Sequence, residues 1–92
     1  DLTNNTARSN NDSGFYLESS SDNDLTNNTA CSNNDSGFYL ESSSNNNLIN
    51  SVSINNSLYD LYVSPGSNQE YCNNRIANLT GNGNRPINYT NE

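Results

Sequence analysis

The chain has 92 residues and a net charge of −7, with three arginines, no lysine and no histidine. Without a cationic stripe, neither nucleic acid nor an anionic membrane surface is an expected partner. No apolar run approaches the length of a transmembrane helix, so we expect no membrane insertion. Asparagine and serine form about two-fifths of the residues, which suits a fold that bonds polar side chains in regular ladders.

The first 46 residues contain one 23-residue sequence twice. The two copies agree at 21 of 23 positions and differ only at Arg8/Cys31 and Asp22/Asn45. A third copy follows without insertion, and a degenerate fourth copy completes the chain. A period of this length indicates stacked units, so we predict a single β-solenoid domain over residues 1–92. The predicted coils, numbered 1 to 4, are residues 1–23, 24–46, 47–69 and 70–92.

Within each unit the hydrophobic pattern has a period of two, as in β-strands. Phe15 and Leu17 fall on one face, whereas Tyr16 and Glu18 fall on the other. Asn-Asn, Asp-Ser-Gly and Ser-Ser-Ser separate the short runs and are typical of tight turns. No stretch has helical periodicity. We therefore predict an all-β parallel solenoid of about four coils, spaced about 4.8 Å apart.

Stacking at this period places repeated residues in columns. The predicted interior columns are Leu2, Leu25, Leu48 and Tyr71; Ala7, Ala30, Ser53 and Ile76; Phe15, Phe38 and Leu61; and Leu17, Leu40 and Val63. A ladder of side-chain amides is predicted at Asn5, Asn28 and Asn74, interrupted by Ser51. In the last coil the register has to slip at Asn84-Arg85-Pro86, with the proline at the start of a strand.

The amino-acid sequence of the repeat resembles that of a known family. Asn-Asn-Thr-Ala, then Ser-Gly-Phe-Tyr-Leu-x-Ser-Ser-Ser and Asn-Asn, is similar to right-handed parallel β-helix repeats, and most of all to NosD-like repeats of archaeal and bacterial surface or exported proteins. The likeness is strong in coils 1 and 2, good in coil 3 and loose in coil 4. It implies a right-handed parallel β-helix, but it implies no particular activity, because lyases, copper-delivery accessories and surface stalks share it.

Residues for catalysis are sparse. Histidine, lysine and methionine are absent, which removes Ser-His-Asp, Cys-His and Ser-Lys catalysis and the ligands that suit copper. Stacked carboxylates form a solvated edge or, alternatively, a calcium site of the sort that lyases of similar fold use. We predict no enzyme activity and no cofactor, with Ca²⁺ as the alternative. The carboxylate columns are Glu18/Glu41, Asp12/Asp35 and Asp1/Asp24.

Cysteines and sequons indicate the setting. Cys31 and Cys72 lie two coils apart, about 10 Å along the axis, so we predict two separate thiols, with a disulfide as the alternative. An acidic, lysine-free and sequon-rich chain indicates an extracellular or cell-surface protein. The candidate N-glycosylation sites are Asn4, Asn11, Asn27, Asn34, Asn55, Asn78 and Asn88.

Tyr16, Tyr39 and Tyr62 form a predicted outward stripe, which is a packing feature, a protein interface or a platform for sugar rings. We expect a structural or adhesive rod, and the alternatives are a carbohydrate-binding module, a calcium-assisted polysaccharide lyase or metal-handling accessory, and a disordered antigenic repeat. Coil 1 nearly matches an interior coil and has no cap. We therefore expect the chain either to belong to a longer array or to stack end to end on itself.

Overall fold

The structure, a computed structural model, describes residues 1–64, 74–81 and 86–87. Every regular element in these ranges is a β-strand, which confirms the all-β prediction. The strands are short because turn residues interrupt each apolar run. They are β1 (Leu2–Thr3), β2 (Thr6–Arg8), β3 (Phe15–Glu18), β4 (Asp24–Thr26), β5 (Thr29–Cys31), β6 (Phe38–Glu41), β7 (Asn47–Ile54), β8 (Leu61–Ser64), β9 (Arg75–Thr80) and β10 (Pro86–Ile87).

The strands form two sheets that curl around a shared interior. One sheet joins β1, β4 and β7, then β5 and β2, with β9 and β10 attached beyond β7. The other contains β3, β6 and β8 in that order. All neighbours are parallel except β10, which lies antiparallel to β9. Parallel strands that return every 23 residues place each coil directly on the next.

The register of the first three coils is as predicted. Leu2 pairs with Leu25 and Leu25 with Leu48, while Ala7 pairs with Ala30 and Ala30 with Ser53. In the second sheet Phe15, Phe38 and Leu61 align, as do Leu17, Leu40 and Val63. These columns form the core, in which Phe38 and Ala30 are fully buried.

The columns assigned to the last repeat are wrong. Ile76 pairs with Leu48 instead of continuing the column below Ser53. Asn74 likewise bonds to Asn46, 28 residues earlier, instead of following Ser51. The offset of β9 is therefore 28 residues instead of 23. Tyr71, which was assigned to the leucine column, lies outside the described residues.

The C-terminal strand reverses the chain direction. Pro86 starts β10, as predicted for a proline, and pairs with Thr80, while Ile87 pairs with Leu79. This antiparallel strand occupies part of the β9 edge that faces away from β7. A complete fourth coil, and the division of the domain into four coils, remain predictions.

Left-handed backbone at recurring positions makes the corners of each coil. Asn4, Asn27 and Asn50 have φ of 60°, 58° and 54°, and Ser9, Ser32 and Asn55 form a second such set. Asparagine tolerates this conformation better than most residues with a side chain. Gly37 is required for another reason, since a Cβ there would collide with Ser53 Oγ. The Asn, Ser and Gly positions of the repeat thus define its bends and close approaches.

Within residues 1–64, 74–81 and 86–87, no helix is long and apolar enough to cross a membrane.

Candidate functional site

Buried asparagines tie each coil to its neighbour. In coil 2, Asn28 accepts a hydrogen bond at Oδ1 from the Asn5 backbone N–H at 2.9 Å and donates from Nδ2 to the Leu2 carbonyl at 3.0 Å. Asn33 does the same with the Asn10 N–H at 3.1 Å and the Ala7 carbonyl at 3.2 Å. Each buried amide thereby satisfies both its donor and its acceptor.

The amide ladder that was predicted is confirmed for Asn5 and Asn28. Ser51 does not interrupt it as predicted, because its hydroxyl accepts from the Asn28 N–H at 3.2 Å. Two further ladders were not predicted, although all their members except Asn74 follow the 23-residue spacing that was visible in the sequence; Asn74 lies 28 residues after Asn46. They are Asn10–Asn33–Asn56 and Asn23–Asn46–Asn74. Ser20 and Ser43 add a hydroxyl rung, with the Ser20 N–H donating to Ser43 Oγ at 3.0 Å.

The Asn-Asn pairs separate into inward and outward members. Asn28 and Asn33 are buried, whereas their sequence neighbours Asn27 and Asn34 are exposed. In the sequon pairs of coils 2 and 3, the sequon asparagine is the more exposed member; these pairs are 27/28, 33/34 and 55/56. The described candidate glycosylation sites, all exposed, are Asn4, Asn11, Asn27, Asn34, Asn55 and Asn78. Asn88 lies outside the described residues.

The predicted tyrosine stripe is a stack of rings. The Tyr16 and Tyr39 centroids are 4.7 Å apart with planes at 14°, and those of Tyr39 and Tyr62 are 4.8 Å apart at 23°. Tyr39 therefore has a neighbour on each ring face, and the column turns mainly edges and hydroxyls toward solvent. Sugar rings pack on ring faces, so this geometry does not suit a sugar platform at Tyr39.

One carboxylate joins two tyrosine hydroxyls. Glu41 Oε1 accepts hydrogen bonds from Tyr16 Oη at 2.7 Å and from Tyr39 Oη at 3.0 Å. These bonds are the main reason that the pKa of both phenols is raised above the ordinary value, with desolvation as the next cause. Both hydroxyls are protonated donors at neutral pH, as an ordinary phenol also is.

Coil 3 carries an aromatic feature that the sequence analysis did not single out. Tyr59 lies 5.3 Å from Tyr62, with planes at 42°, and is 56% exposed. The neighbouring Leu58 is also exposed. These two residues occupy the positions at which coils 1 and 2 have Asp-Ser. The replacement of that turn sequence in the third repeat was the signal by which the sequence could have revealed this feature.

A family model for the right-handed β-helix region matches residues 1–85. The chain belongs to the right-handed β-helix family. No curated protein and no solved structure matched it in the other two comparisons. The in-register columns of coils 1 to 3 are the structural counterpart of this match, and the family resemblance inferred from the repeat wording is confirmed.

Two of the outward carboxylates of this β-helix, Glu41 and Asp24, accept hydrogen bonds from neighbouring side chains. Glu18 pairs in register with Glu41, but Glu41 is already bonded to the tyrosine hydroxyls. Asp24 Oδ1 accepts from Asn47 Nδ2 at 2.7 Å. Among the residues that the structure describes, no three acidic or cysteine side chains are grouped as a metal site requires. The described part of these carboxylate columns therefore gives no support to the calcium alternative.

Cys31 lies on the outer side of β5, where it pairs with Arg8 of β2 and Ile54 of β7. It is a half-buried free thiol, whereas Cys72 lies outside the described residues. The prediction of separate thiols therefore has support only from the Cys31 side.

Proposed function

We propose that the chain is a structural segment of an extracellular or cell-surface β-helix rod, whose partner is further copies of its own repeat. The observation that carries this proposal is the use of the repeated polar residues. Asn28, Asn33 and Asn46 are buried, and their side-chain amides form hydrogen bonds between coils. Because the repeated residues hold neighbouring coils together, we infer that the repetition serves stacking. We propose no catalytic role.

The distribution of sequons supports the surface setting. Sequon asparagines at the outward position of the Asn-Asn pairs, such as Asn27 and Asn34, are accessible to a glycosyltransferase, and glycans there would leave the ladders intact. We expect glycans on material from the source cells. Mass spectrometry before and after enzymatic release of N-glycans tests this, and an unmodified chain from those cells would contradict the glycoprotein part of the proposal.

The structural role is tested by changing the number of coils. A second copy of residues 1–23 inserted between Asn23 and Asp24 extends the array in frame. We expect this chain to fold, to unfold at higher urea concentration because an interface has been added, and to lengthen by about 4.8 Å in X-ray scattering.

The matched control insert exchanges Leu2 with Thr3 and Leu17 with Glu18, which turns apolar residues outward at constant composition. A midpoint for the authentic insert that falls below that of the original chain, or that equals the control, would contradict a stacking role.

A carbohydrate-binding function is the second candidate, and the exposed Tyr59 favours it. Its ring is tilted against Tyr62 rather than covered by it, which leaves apolar surface for a sugar. If this candidate is correct, Tyr59→Ala abolishes binding on a glycan array. Tyr39→Ala, whose ring faces are covered, then has the smaller effect, and an array with no hits would remove the candidate.

A further inference from the structure

Four tyrosine rings form an unbroken series of contacts along coils 1 to 3. The ring centroids are 4.7 Å apart for Tyr16 and Tyr39, 4.8 Å for Tyr39 and Tyr62, and 5.3 Å for Tyr62 and Tyr59. All three distances lie toward the short end of the range for aromatic pairs. An electron can therefore pass from one ring to the next across a single contact.

Two of these four tyrosines share a proton acceptor. Glu41 Oε1 accepts hydrogen bonds from Tyr16 Oη at 2.7 Å and from Tyr39 Oη at 3.0 Å, and both lengths are ordinary for an O–H···O bond. In coil 3, Ser64 holds the register position of Glu41. Tyr62 therefore has a serine where Tyr39 has a carboxylate two residues further along the chain.

This difference matters for oxidation, because a phenol that loses an electron becomes a strong acid. Its radical is stable only once the hydroxyl proton has left. A carboxylate that already accepts a hydrogen bond from the hydroxyl can take this proton as the electron departs, whereas a phenol in contact with water alone has a much weaker base. Oxidation is therefore easier at Tyr16 and Tyr39 than at Tyr59 and Tyr62.

The tyrosine column is also within reach of a dissolved oxidant. Tyr59 and Tyr62 are exposed, whereas Tyr39 in the middle of the column is half-buried. The net charge of −7 attracts a cationic oxidant to the surface. An oxidant that touches the coil 3 rings is thereby connected to Tyr39 through ring contacts.

We propose that Tyr16, Tyr39 and Glu41 form a one-electron oxidation site, whose co-reactant is a one-electron oxidant such as a high-valent metal complex. One phenol gives one electron to the oxidant, which is reduced by one unit. Its O–H bond breaks, and the proton passes to Glu41 Oε1. The products are a neutral tyrosyl radical, a protonated Glu41 carboxyl group and the reduced oxidant. This chemistry does not depend on the proposed stacking function.

The experiment generates tris(bipyridine)ruthenium(III) by a laser flash in a solution of the full chain and follows the absorbance of the tyrosyl radical. We expect Glu41→Gln to slow radical formation by about tenfold or more, because glutamine still accepts hydrogen bonds but is too weak a base to keep the proton. The matched control is Glu18→Gln, which removes the same charge from the same column. It should leave the rate nearly unchanged, because Glu18 is exposed and salt screens its charge.

A second variant separates the proton acceptor from the fold. Tyr16→Phe combined with Tyr39→Phe keeps all four rings and removes both hydroxyl donors, so its remaining tyrosines should be oxidised as slowly as those of Glu41→Gln. Radical formation in this double variant at the rate of the original chain overturns the inference, and it decides alone if Glu41→Gln does not fold. Equal slowing by Glu18→Gln and Glu41→Gln also overturns it, because charge rather than proton transfer would then set the rate.

Discussion

Asn33 holds Asn10 by two hydrogen bonds, since its Oδ1 accepts from the Asn10 backbone N–H at 3.1 Å and from Asn10 Nδ2 at 2.8 Å. Asn33 also donates from Nδ2 to the Ala7 carbonyl and to Asn56 Oδ1. This single buried amide links three consecutive coils. We expect Asn33→Ala to lower the free energy of unfolding by about 2–3 kcal/mol, because partners in the interior lose their bonds. Urea denaturation followed by circular dichroism measures this loss.

The matched control for that substitution is its sequence neighbour. Asn34 is exposed and has ordinary negative φ, so Asn34→Ala should change stability by less than about 0.5 kcal/mol. Equal losses for the two variants would mean that inward and outward asparagines do not differ, and the ladder would be excluded.

Leu2 and Leu25 lie in one column but differ in exposure, so we expect their substitution to lower the free energy of unfolding by different amounts. Leu25→Ala leaves a cavity in packed surroundings and should cost about 3 kcal/mol. Leu2→Ala removes a side chain that is already 40% exposed and should cost about 1 kcal/mol. Thermal and urea unfolding of the two variants test this ranking. Equal costs would show that Leu2 is as well covered in solution as Leu25, contrary to their exposed fractions.

Glu41 predicts the titration of the tyrosines. Because its carboxylate accepts from both hydroxyls, Glu41→Gln should lower the pKa of Tyr16 and Tyr39 toward 10.0. Glu18→Gln, which removes only a through-space repulsion from Tyr16, should lower that pKa less. Absorbance of phenolate against pH measures both effects. Unchanged titration in Glu41→Gln would contradict the shared hydrogen bond.

The same hydrogen bonds predict how the free energy of unfolding changes with pH. A phenol with a raised pKa in the folded chain contributes stability that is present below pH 10, the ordinary pKa, and is lost as pH rises through the folded value. The wild-type chain should therefore weaken in alkali more steeply than Glu41→Gln. Stability curves of the two chains from pH 8 to pH 11 provide the comparison.

The sequence was sufficient for coils 1 to 3 because identical residues at a fixed period leave one register in which apolar residues face inward. Phe15 over Phe38, and Leu2 over Leu25, follow from that period alone. The number of amide ladders was underestimated because the sequence does not show which residue of each Asn-Asn pair faces inward. In one pair it is the second residue, Asn28, and in the next it is the first, Asn33. Which residue turns in depends on the corner geometry, such as the left-handed backbone at Asn27.

The register of β9 was missed because a frame without insertion was assumed. Asn74-Arg75-Ile76-Ala77-Asn78 matches Asn46-Asn47-Leu48-Ile49-Asn50 as an Asn, an aliphatic residue two places on and a second Asn, and Asn50 and Asn78 share left-handed backbone. That local match was a better guide than the period. Five more residues separate Ser64 from Asn74 than separate Glu41 from Asn46, and the 23-residue period gives no sign of such an insertion.

The most direct test of in-register stacking uses the two phenylalanines, which are the only ones in the chain. Their rings are 4.9 Å apart with planes at 7°. With phenylalanine rings isotopically labelled, nuclear Overhauser spectroscopy should give a strong cross-peak between Phe15 and Phe38. A folded chain without that cross-peak would contradict the placement of each repeated residue over its counterpart 23 positions away.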